Sequence, residues 1–212
     1  MPILANPIGA SGVSANTASA SPVGIAATCR QIPTFNGVSQ RVNISWQQTS
    51  TTSYIEIGVI RTQNTGTLEY IADNTVTNNY IRLNGSGAIR CRFTETDGSI
   101  RNITTDVLNI DQPYKLRVEF NPSSFEVFLD GVSQGSANFA IAQNLSGTWQ
   151  TLASRISGSY GLVAIFDADF NNEAFYPLDD GFANNPTARN TLGADGSFEN
   201  MTSAAWSTRC DI

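Results

Sequence analysis

Asp167-Ala-Asp169-Phe-Asn171-Asn-Glu173 sets an oxygen-bearing side chain at every second position. Calcium collects carboxylate and amide oxygens from short loops, so Asp167, Asp169, Asn171 and Glu173 are the expected metal ligands, and Asp179 and Asp180 complete such a site if the tail folds back. The run lacks the glycine and the distal bidentate glutamate of an EF-hand. In a strand the same alternation describes a solvated face. Sugar recognition asks for different residues: a large ring to stack on a sugar face, with amides and carboxylates to pair its hydroxyls. Trp46, Trp149 and Tyr160 are rings of suitable size. Trp46 is in phase with Val42 and Ile44 and belongs to the core, whereas Trp149 lies in the polar stretch from Asn144 to Gln150. Trp149, Tyr160 and Asn144 are therefore the expected carbohydrate-binding residues.

Other chemistries are excluded by what the chain lacks. It has no histidine, which removes Ser-His-Asp and Cys-His catalysis together with the commonest metal ligand. Glu119 and Glu126 form the best carboxylate pair for glycoside hydrolysis, but both alternate with apolar residues and read as a solvated strand face. No catalytic residue is expected. The net charge is −6 and the one lysine, Lys115, sits inside a strand pattern, so no phosphate loop and no basic stripe for nucleic acid exists. No apolar run reaches the ~20 residues of a membrane span, and the N-terminus lacks the charged start and apolar block of a secretory signal. Five Asn-x-Ser/Thr triplets, at Asn43, Asn84, Asn102, Asn144 and Asn200, are about as many as chance predicts in so Asn-, Ser- and Thr-rich a chain. Cys29, Cys91 and Cys210 are too sparse for a disulfide framework. At most one pair can form, and Cys29 and Cys210 flank the presumed domain, whereas Cys91 shares a core face with Ile89 and Phe93.

The elements that must position these residues are strands. Charged residues make up 14% of the chain, well below the usual ~25%, and Asn, Ser, Thr and Gly take their place, a mixture that favours short strands and tight turns. Val42, Ile44 and Trp46 alternate with polar residues, and Ile55, Ile57 and Val59 repeat the pattern. Further strands are expected over 68–71, 80–83, 89–94 and 100–103, the last two joined by Asp97-Gly98. Leu116, Val118 and Phe120, then Phe125, Val127 and Leu129, define a hairpin. Asp130-Gly131 supplies the positive-φ pair of a type I′ turn, and Val132 opens the next strand. Residues 160–166 are apolar nearly throughout and predict a strand covered on both faces. The total is about ten strands in a two-layer antiparallel sandwich over 29–212, with residues 1–28, sparse in apolar side chains, as an N-terminal arm.

Tyr114-Lys-Leu-Arg-Val-Glu-Phe-Asn121 and Phe125-Glu-Val-Phe-Leu-Asp-Gly-Val132 resemble the paired strands of laminin-G-like, concanavalin A-like jelly-roll domains. Val163 to Phe175 is similar to their late strand and closing turn. Tyr176-Pro-Leu-Asp-Asp-Gly181, Gly193-Ala-Asp-Gly196 and Trp206 resemble segments that follow such domains in phage and other viral particle proteins. The resemblance covers roughly 114–206. It implies an all-β sandwich in which calcium often lies near the late strand, although Ile165 stands where legume lectins carry a glutamate, and in which Trp206 plugs the sandwich edge. It further implies a non-enzymatic, virion-associated structural or adhesive protein that assembles in the host cytoplasm, held to other virion proteins by its arm. A homo-oligomer, with a trimer favoured, and binding of surface carbohydrate belong to the same expectation. The alternatives are an architectural capsid decoration or cement subunit without a ligand, and a carboxylate-dependent polysaccharide-degrading enzyme.

Overall fold

Period-two alternation becomes strand pairing wherever its apolar half finds a facing sheet to bury against. A computed structural model describes residues 29–33, 35, 40–63, 69–74, 77–153, 163–178, 187–188, 195–199 and 206–210. The first sheet is six-stranded, with β10 (Val132–Asn138), β9 (Ser124–Leu129), β8 (Pro113–Asn121), β3 (Ser53–Arg61), β12 (Val163–Phe170) and β13 (Ala174–Pro177) in spatial order. The second is eight-stranded: β14 (Thr187–Ala188), β15 (Gly196–Glu199), β2 (Arg41–Trp46), β11 (Trp149–Leu152), β4 (Glu69–Asn74), β5 (Asn79–Leu83), β6 (Ala88–Thr94) and β7 (Ile100–Val107). Every pairing between named strands is antiparallel. The two sheets form a jelly-roll β-sandwich. The expected arm, residues 1–28, lies outside the described residues.

Inward residues of both sheets make one continuous core, in which Ile55, Ile57, Leu116, Val118 and Phe125 of one layer meet Ile44, Ile81, Cys91, Phe93 and Trp149 of the other. Phe93 stands edge-on to Phe120 and Phe125, with ring centroids 4.8 and 4.7 Å away, the arrangement aromatic quadrupoles favour. Burial pushes the Cys91 thiol well up from its ordinary range, so it stays a neutral core residue, as its phase predicts. The Asp130-Gly131 turn has the predicted form, with φ of 49° and 77°, and Asp97-Gly98 joins β6 to β7.

Sixteen strands are found among the described residues, against about ten expected. The additional six, β1 (Cys29–Pro33), β11, β13, β14, β15 and β16 (Trp206–Cys210), run from two to five residues, too short to display a period. β1 and β16 pair with each other in a register that sets Cys29 opposite Cys210, so the two ends of the domain are neighbours. Ile32 of β1 packs with Ile60, Ala164 and Phe166 on the outer face of the six-stranded sheet. That second cluster explains why β12 is apolar on both sides: Val163 and Ile165 face the main core and Ala164 and Phe166 face β1.

Candidate functional site

The predicted sugar site does not assemble as expected. Trp149 is 1% exposed and packs in the core near Phe93, because its short strand pairs with β2 and sets it opposite Trp46. A ring in that position has no face for a sugar. Tyr160 lies outside the described residues. Asn144 is half-buried, its amide oxygen accepts from the Ser146 N–H, and its backbone carbonyl accepts from Asn79 Nδ2 at 3.2 Å.

The predicted calcium residues are taken up by protein partners, although the period of the strand sets Asp167 and Asp169 on one face. Asp167 accepts from the Gly58 N–H at 2.9 Å and pairs with Lys115 Nζ at 2.6 Å. Asp169 accepts from the Tyr54 hydroxyl and from the Asn172 N–H, both at 2.9 Å. Glu173 accepts from Trp46 Nε1 and Asn171 Nδ2, again at 2.9 Å each. Each carboxylate thus serves a different protein donor, and among the described residues no group of three or more acidic or cysteine side chains could hold a metal ion. Asp179 and Asp180 lie outside them.

The outer face of the six-stranded sheet is a salt-bridged surface. Arg117 pairs with Glu119 at 2.7 Å and Glu56 at 3.2 Å, and its guanidinium lies 4.0 Å over the Tyr54 ring. Glu126 is the register partner of Glu119 and accepts from the Ser133 hydroxyl. Burial first, then the hydrogen bond and charge of Asp169, push the Tyr54 phenol up to about 12, so it remains protonated across the neutral range.

A better-formed cleft lies on the opposite layer, where residue types alone did not single it out. Tyr70, Asp73, Asn74, Asn78, Asn79 and Tyr80 line a hollow of about 280 Å³ at the β4–β5 hairpin, near the lower limit of ligand pockets, roughly 300 Å³. The two tyrosine rings stand edge to face with centroids 5.4 Å apart. A register shift in β4 builds the site: Tyr70 pairs with Arg82 but Ala72 with Ile81, which leaves Ile71 as the extra residue. Without that bulge Tyr70 and Asp73, three apart, would face opposite sides. With it, Asp73 pairs with Tyr80 and both tyrosines and the carboxylate share the outer face. Asp73 also accepts from the Thr151 hydroxyl. Asn79 and Asn74 donate to the carbonyls of Asn144 and Ser146, so the loop expected to bind sugar buttresses the wall of this cleft. Tyr80-x-Arg82 and Arg90-x-Arg92 alternate visibly in the sequence as outward pairs; the bulge has no such signal.

No protein-family model matches this chain, and no curated protein does. Solved structures match. One is a Bacteroides ovatus protein with a provisional carbohydrate-binding role, aligned over 85% of this chain and 60% of its own, with TM-score 0.58 and 10% identity. The shared fold is a jelly-roll β-sandwich. A second is the receptor-binding domain of a botulinum neurotoxin, mosaic serotype C/D, aligned over 68% of this chain and 42% of its own, with TM-score 0.52 and 9% identity. The chain spans less than two thirds of either protein. At such identities the likeness concerns architecture, and the cleft must be judged on its own residues.

Proposed function

We propose that the domain is a non-enzymatic adhesive module that binds carbohydrate in the Tyr70–Tyr80 cleft. The observation that carries this reading is a hollow of about 280 Å³ on which the half-buried Tyr70 ring, the Asp73 carboxylate and the exposed Asn78 amide converge, with the 3%-exposed Tyr80 ring as part of its wall. Tyr70 supplies an apolar platform and Asp73 and Asn78 supply directed hydrogen bonds, the pairing that a sugar with one apolar face and a rim of hydroxyls requires, while the amides of Asn74 and Asn79 are held by the protein itself. The fold similarity to a protein with a provisional carbohydrate-binding role supports it. Display on a virus or phage particle as an oligomer is part of the proposal and rests on the resemblance over 114–206.

Glycan-array binding tests this reading. Wild-type protein should give saccharide signals that Tyr70→Ala and Asp73→Ala reduce about tenfold or more while the melting temperature changes by only a few degrees. Retention of full binding by both variants, or no binding by the wild type, would overturn it.

A further inference from the structure

The same sheet face holds three arginines that the cleft does not use. β-Sheet register places them in two rows. The first runs Asp73, Tyr80, Arg92, Asn102 and the second Tyr70, Arg82, Arg90, Thr104. Arg82 and Arg90 are direct cross-strand partners, and Arg92 follows Arg90 on the same face, since Cys91 between them points into the core. The guanidiniums of Arg82 and Arg92 lie 4.6 and 5.4 Å from the centroid of Tyr80, the ring that walls the cleft.

This arrangement has an electrostatic cost that the Tyr80 ring offsets only in part. Like charges directly opposite on neighbouring strands repel. Among the described residues none of the three arginines has a carboxylate partner, although the other face of the sandwich pairs Arg117 with two glutamates. The Nε atoms of Arg82, Arg90 and Arg92 are all buried without a hydrogen-bond acceptor. A buried donor left unmade is expensive, more so on a charged group. Three guanidiniums side by side without a carboxylate partner among the described residues, in a chain whose net charge is −6, match a negatively charged group that is not part of the protein. Guanidinium forks present paired N–H groups that suit the oxygens of a carboxylate or sulfate.

We infer that Arg82, Arg90 and Arg92 form an oxyanion subsite adjoining the Tyr70–Tyr80 cleft, so that the ligand is an acidic saccharide carrying a carboxylate or a sulfate ester. The inference rests on the carbohydrate reading above and narrows it to one class. The anion sits over the arginine rows and the adjoining sugar ring enters the cleft against Tyr70, with the buried Tyr80 ring beneath Arg82 and Arg92 linking the two.

The test is an array of matched saccharides, each present as the neutral parent, as a sialylated or uronic acid form, and as a sulfate ester, followed by titration of the best binders and of sodium sulfate alone. The acidic forms should bind at least about tenfold more tightly than their parents. Arg90→Gln should bring them down to the parent's affinity while leaving the neutral saccharide unchanged, with Arg90→Lys intermediate because it keeps charge without the fork. Wild-type binding of the acidic forms should weaken between about 50 and about 500 mM salt, an arm that depends on no variant's folding. Carboxylate and sulfate sets distinguish the source of the anion, and preference for either supports the inference. Equal binding of acidic and neutral forms, both lost in Tyr70→Ala, would overturn the anion subsite and leave the carbohydrate reading standing. Binding of free sulfate with no saccharide bound would overturn both the acidic saccharide and the carbohydrate reading, as would no binding at all.

Discussion

Glu95 is fully buried, and its two carboxylate oxygens are divided between the Arg101 guanidinium and the Ile141 N–H. Burial works to raise its pKa, but the backbone N–H groups of Ile141 and Ala140 together with Arg101 outweigh it and hold the carboxyl below the ordinary glutamate range. A group depressed in the folded state contributes stability above its unfolded pKa, roughly 4.3 for glutamate, and loses it as pH falls through the folded value. Urea midpoints measured from pH 6 downward should therefore drop more steeply below about pH 4.3 for the wild type than for Glu95→Gln. Gly58 presents a different constraint, because a Cβ there would lie 2.2 Å from the Phe166 ring. Gly58→Ala should cost about 1–3 kcal/mol through overpacking, read as a lower denaturation midpoint with unchanged m-value.

Turns and bulges decide where each element points. At Gly131 a Cβ would meet nothing within 4 Å, yet φ is 77°, so the cost of a side chain there is conformational alone. Gly131→Ala should lose about 1–2 kcal/mol, and Gly98→Ala, with φ 86° and equally open space, should lose a similar amount; denaturant titration of both variants checks that the two hairpins obey one rule. The β4 bulge is the opposite case, since its extra residue is an ordinary isoleucine rather than a turn former. Asp130-Gly131 was legible because only a few residue types tolerate positive φ at both turn positions. Ile71 carries no comparable mark, and a one-residue shift sends a whole strand's side chains to the other face. For that reason the cleft was hidden while the hairpins were plain.

At the scale of the molecule, β1 covers the six-stranded sheet through Ile32, which is fully buried against Ile60, Ala164 and Phe166. Ile32→Ala should destabilise the domain by about 2–5 kcal/mol in equilibrium unfolding, and a loss under 1 kcal/mol would mean that β1 is not integral to it. The sequence by itself determined the all-β class, the main hairpins, the core phase of Trp46 and Cys91, and the double burial of residues 163–166, the described part of the run expected over 160–166, because each follows from period-two alternation, from an unbroken apolar run or from local turn chemistry. It also ruled out histidine-dependent catalysis. Tertiary structure alone decided that Trp149 is core rather than platform, because that depends on which strand its short segment pairs with. It likewise engaged Asp167 and Asp169 with separate protein donors and paired Asn171 with Glu173, and it brought Tyr70, Asp73, Tyr80 and three arginines together. Those residues lie up to 22 positions apart, and neighbours across a sheet are set by register, a long-range property that no local window of sequence encodes.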